Sequence, residues 1–174
     1  MKNSRIEKVG VFSAIAFVLQ LMGRFIPKVG GFLEIEFSDL PAIIISFAEG
    51  PLAGVLVELI KNLLHLVIST SGFVGEFANF VVNGAFVFTL GAIYKHKKTK
   101  KNAVISLLVS TCVLAIAAFF INLYIMLPLY MGDADFATKL NIVAFTITPF
   151  NIVRGLVLSA ITMLIYKKIS RIIK

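Results

Sequence analysis

The chain has 174 residues, 59% of them hydrophobic and only 15% charged, with a net charge of +8. A mean hydropathy of +0.95 excludes an ordinary soluble domain, and apolar runs of membrane-spanning length recur along the chain. The basic residues cluster beside those runs, so membrane topology explains the positive charge better than nucleic acid does.

In chain order, Lys2, Arg5 and Lys8 precede a first span over about residues 8–26. It reads as a retained span, because no Ala-x-Ala-like cleavage context follows it. Gly10, Ser13 and Ala14 share a face there, and small residues at this spacing let another helix approach closely. Residues 27–39 read as an outer loop with a short extended piece at Leu33–Phe37. A second apolar run, about 40–49, is too short to cross a membrane unaided. Gly50-Pro51 ends it, and Pro51 suits the first turn of a third span over about 51–70. A turn is expected at 71–76, a fourth span at 77–94 and a basic loop at 95–101. The fifth span, 103–127, is expected to stop at Pro128. A loop over 128–140 then leads to a sixth span at 141–166 and a basic tail. The single cysteine, Cys112, lies inside an apolar run, with no companion for a disulfide or a metal site.

Charge placement fixes the count of spans. Twelve of the 17 Lys and Arg residues fall in three places: the N-terminus, residues 95–101, and Lys167 to Lys174. If all three are cytoplasmic, an even number of spans separates the first two, so residues 40–70 hold two helices. The expected fold is a single all-α domain over 1–174 with six transmembrane helices and both termini inside. Glu34, Glu36, Asp39, Glu76, Asp133 and Asp135 then face outward.

Intramembrane polar residues cost free energy unless they have partners or a ligand. Counted inward from the outer helix ends, Asn83, Asn122 and Arg154 each lie roughly 8–12 Å deep. Asn62 is slightly deeper, whereas Asn79 and Asn151 are shallower. Asn151 and Arg154 are three residues apart and share a face. Polar groups from four spans thus meet in the outer half of the membrane, which suits capture of an external solute. Glu58, Lys61 and His65 form a second polar stripe; Glu58 and Lys61 are placed to pair, with a proton relay through Glu58 and His65 as the alternative. No phosphate-binding glycine loop, His-Glu-x-x-His or Gly-x-Ser-x-Gly motif is present, and no nucleophile–base pair can be assembled. Uphill transport would therefore draw on an ion gradient or on another subunit.

The segments EFSDLPAII, GPLAGVLVELIKNLLHLVIS, GEFANFVVNGAFV and TPFNIVRGL occur in the order and spacing of a known family. Over almost its whole length the chain resembles the riboflavin-specific substrate-binding subunits (S components) of energy-coupling factor (ECF) vitamin transporters. The resemblance implies a bacterial plasma-membrane importer subunit that is not an enzyme, with riboflavin as substrate and no cofactor. Its partners would be a transmembrane coupling subunit and two ABC-type ATPases. It also implies a vitamin pocket from Asn122, Asn151 and Arg154, completed by Asp39, Leu40, Gly84 and Ala85, with Asn83 nearby. Where the family has lysine, this chain has Arg154, and its best small pair for docking the coupling subunit is Gly10 with Ala14. An S component for another vitamin and a stand-alone proton-coupled carrier remain as alternative readings.

Overall fold

The computed structural model describes residues 2–23, 25, 33, 37–69 and 73–173. The elements are α1 (Lys2–Gly23), α2 (Asp39–Glu49), α3 (Pro51–Leu66), α4 (Val74–His96) and α5 (Lys100–Ile121). A π-helical turn at Asn122–Met126 joins α5 to α6 (Leu127–Tyr130), and another at Val143–Ile147 joins α7 (Phe136–Ile142) to α8 (Thr148–Ile173). Four of the helical runs are long and apolar enough to cross a membrane: Ser4–Gly23, Val74–His96, Lys100–Tyr130 and Phe136–Tyr166. With 11 and 16 residues, α2 and α3 are shorter. At 1.5 Å per residue they reach about 16 Å and 24 Å, against a hydrocarbon core of about 30 Å.

The break between α2 and α3 is local chemistry. Gly50 takes φ +98°, which an L side chain rarely adopts, and Pro51 supplies a first helical residue that needs no N–H partner. Two expected boundaries move. α4 begins at Val74, inside the expected 71–76 turn, and residues 70–72 lie outside the described residues. The expected 128–140 loop shrinks to 131–135, because helix continues through Pro128 to Tyr130 and resumes at Phe136. Pro128 is tolerated because the turn before it is widened: the Leu127 N–H bonds to Asn122 O, five residues back. Likewise Thr148, just before Pro149, bonds to Val143 O. A wider turn relieves the clash between a proline ring and the preceding carbonyls. The second run starts with a side-chain cap, Asp135 accepting from the Thr138 N–H at 3.3 Å. That bond holds the exposed Asp135 carboxyl below the usual carboxylate range. Of the expected extended segment, Leu33 packs beside Leu123, Leu127, Val143 and Ile147; Glu34 and Glu36 lie outside the described residues.

α2 is the central element, packed by α1, α3, α4 and α8. Pro41, Ala42, Ile43, Ile45 and Phe47 are buried on it. At its C-terminal end the Phe47 ring lies 4.3 Å from Tyr94 and 6.5 Å from Tyr166, whose hydroxyls are 2.9 Å apart. Lys8 Nζ reaches Glu49 Oε1 at 2.6 Å and Arg5 donates to Glu49 O, tying α1 to the same corner. Most buried hydroxyls are satisfied within their own helix: Ser13 donates to Val9 O, Ser110 to Ser106 O, Thr111 to Leu107 O and Thr162 to Leu158 O. Ser46 instead crosses from α2 to Val87 O on α4 at 2.8 Å.

That crossing needs a glycine opposite. A Cβ on Gly91 would sit 2.2 Å from Ser46 Oγ and 2.7 Å from Pro51 Cα, and the proline backbone cannot step aside. Gly91→Ala is therefore expected to cost about 1–3 kcal/mol by overpacking. Gly10→Ala, where an added Cβ meets nothing, should leave stability unchanged. Thermal unfolding in detergent compares the two.

Candidate functional site

The two π turns touch one another; an asparagine opens the first and another follows the second on α8. Asn122 opens the first; its Nδ2 donates to Ala118 O at 2.8 Å. Asn151 lies four residues past the end of the second and donates to Ile147 O at 2.9 Å. Each amide N–H is thus held by its own helix. A widened turn shifts the side-chain register, and such turns recur at functional sites.

One turn beyond Asn151 on α8 stands Arg154, whose Nη2 donates to Asp39 Oδ2. The other Asp39 oxygen accepts from Lys61 Nζ at 2.9 Å. Lys61 also contacts Glu58 Oε2 at 2.6 Å and Ser38 Oγ at 3.2 Å. Charges therefore alternate along Arg154, Asp39, Lys61 and Glu58, with a net charge of zero. Side-chain exposure is 0% for Lys61 and Glu58, 1% for Asp39 and 12% for Arg154. In so dry a setting each charge is tolerable only because an opposite one touches it. The ladder links α8, α2 and α3.

The expected Glu58–Lys61 pair is present. His65 takes a separate partner, Glu76, with Nδ1 at 2.9 Å from Oε1, so Glu58 and His65 engage different groups. Leu40 packs half-buried against the main core. Gly84 and Ala85 line a groove of about 350 Å³ with Val55, Phe80, Val81 and Phe88, between α3 and α4. Asn83 is fully buried and donates to Asn79 Oδ1 at 3.0 Å. A larger apolar groove, about 510 Å³, runs between α5 and α8 from Leu108 to Phe120 and from Thr148 to Leu156. Neither groove contains Asn122, Asn151 or Arg154. Gly10 and Ala14 lie exposed on α1.

Sequence reasoning missed the hub role of Asp39, although a charge count offered a signal. Lys61 and Arg154 are two intramembrane cations; Glu58 can match one of them, so a second anion was required. The π turns also left a mark: in both, a proline follows the first residue of the turn by six positions.

Comparison with known proteins places this arrangement. A family model described as "ECF transporter, substrate-specific component" matches residues 4–166. The chain belongs to this family of S components. It is 37% identical to the riboflavin transporter RibU of Staphylococcus aureus (strain TCH60), covering 99% of this chain and 94% of the relative. It is 36% identical to the riboflavin transporter FmnP of Bacillus subtilis (strain 168), covering 97% and 93%. A solved structure described as the S component of a bacterial ECF transporter superposes with a TM-score of 0.84 at 36% identity, over 100% of this chain and 99% of the other. The protein is thus a multi-pass membrane transport subunit and not an enzyme.

Lys61→Met removes the cation between two buried carboxylates and is expected to cost about 3–5 kcal/mol in stability. The double variant Glu58→Gln/Lys61→Met should recover part of that loss. Thermal unfolding of the two variants side by side checks the sign.

Proposed function

We propose that this S component binds riboflavin and delivers it for uptake. The observation that supports the reading is the contact between the two π turns, one opened by Asn122 and the other followed on α8 by Asn151 and Arg154. The names of the full-length relatives support it. A flavin ring is flat and largely apolar, with alternating carbonyl and N–H groups along one edge. Asparagine amides can both donate and accept there, and a guanidinium can donate to a carbonyl oxygen or a ring nitrogen. Asp39 serves this site chiefly through Arg154, which it orients, and Leu40 sits one residue further along α2. Gly84 and Ala85 line the groove between α3 and α4.

In this reading six helical runs cross the membrane, both termini are cytoplasmic, and the pocket opens outward. The three basic clusters support that orientation, as do the exposed Tyr124 and Tyr130 at the opposite end of α5 and α6. Energy comes from a transmembrane coupling subunit and two ABC-type ATPases, with Gly10 and Ala14 on the open face of α1 allowing close approach of the coupling subunit. A carrier driven by protons through Glu58 and His65 is disfavoured by their separate partners.

The detergent-purified protein is expected to carry or take up one riboflavin per chain, read by flavin absorbance and fluorescence quenching. Asn122→Ala and Asn151→Ala should each weaken binding about tenfold to a hundredfold while the protein stays folded, the loss of one or two ligand hydrogen bonds. No quenching by the wild-type chain, together with tight binding of another vitamin, would overturn the flavin assignment.

A further inference from the structure

The α3–α4 interface carries a polar seam that the vitamin pocket does not use. The antiparallel register of the two helices is fixed by His65 on α3 touching Glu76 on α4. Glu58 and Asn83 each lie seven residues inward from that contact, on the same face as His65 and Glu76 respectively, so they stand at one level. Asn62 and Asn79 each lie three residues inward and share a second level. The two side chains that matter lean toward each other along the axis. Asn62 Nδ2 reaches inward to Glu58 O at 2.8 Å, whereas Asn83 Nδ2 reaches outward to Asn79 Oδ1 at 3.0 Å. Both amide N–H groups are thereby used. Their carbonyl oxygens are not: Asn62 Oδ1 and Asn83 Oδ1 are buried and have no hydrogen-bond partner among the described residues. The residues are 3% and 0% exposed.

Two orphaned acceptors at adjacent levels define the ligand chemically. It must donate hydrogen bonds or carry positive charge, and it must be small. A cation is disfavoured, because the Lys61 ammonium already stands 2.6 Å from Glu58 Oε2 and would repel it. What remains is a neutral double donor. Leaving a buried carbonyl unsatisfied costs about 1–3 kcal/mol, and a bound water that donates to both removes that cost twice. We propose that the α3–α4 seam binds an internal water donating to Asn62 Oδ1 and Asn83 Oδ1, a site separate from the vitamin pocket and independent of the flavin assignment.

The first test is a crystal structure of the full chain at a resolution that shows ordered water. Density within hydrogen-bond distance of both oxygens, with no direct protein donor, is the expected result. A dry seam, or amides paired directly with protein donors, would overturn the proposal. The second test is a thermal-unfolding cycle on Asn62→Leu, Asn83→Leu and the double variant. A shared water makes the shifts non-additive, the double differing from the sum of the singles; additive shifts would contradict it. Unfolding of the wild type is also compared in sodium and choline buffers of equal ionic strength. Equal melting temperatures are expected, and a sodium-specific rise would replace the water with a cation.

Discussion

Asp39 neutralises two cations at once, and the interior depends on it. Lipid offers no solvation for Lys61 or Arg154, so each must find an anion within the protein. Glu58, three residues from Lys61 on the same helix, contacts the Lys61 ammonium at 2.6 Å. Asp39 reaches both cations, because it stands at the head of the central helix with one oxygen toward α3 and the other toward α8. The short α2 is therefore more than an incomplete span. Its apolar face fills the middle of the bundle, and Asp39 at its head fixes where α3 and α8 meet it.

The second constraint is proline in long apolar helices. Pro128 and Pro149 would ordinarily break or kink them. Here a π turn precedes each one, and the i to i−5 bond is made by the residue just before the proline. The same adjustment sets Asn122 at the start of one widened turn and brings Asn151 and Arg154 to the foot of the other. Arginine at position 154 suits the contact with Asp39, since its planar fork donates to a carboxylate oxygen through Nη2.

Much of this was legible in the sequence, for definable reasons. Hydropathy and the Gly50-Pro51 break gave the helical runs and the division of residues 40–70. Spacing of three gave the Glu58–Lys61 pair. Depth counting set Asn83, Asn122 and Arg154 at one expected depth, with Asn151 shallower. The Asp39–Arg154 contact was not legible as such, because its partners are 115 residues apart and only packing joins them. The end of the fifth run was misplaced because Pro128 was read as a stop, whereas a π turn absorbs it. The placement of Gly84 and Ala85 in the α3–α4 groove depends on the rotation of α4 about its axis, which a mean hydropathy pattern as uniform as that of residues 77–94 does not specify.

The most direct measurement is a double-mutant cycle on riboflavin affinity using Asp39→Asn, Arg154→Gln and the two combined, each confirmed folded. If Asp39 acts by holding Arg154 in place, both single variants weaken binding and the double is about as weak as Arg154→Gln alone. Losses that multiply in the double variant would mean that the two residues act on the ligand separately, and would contradict the account.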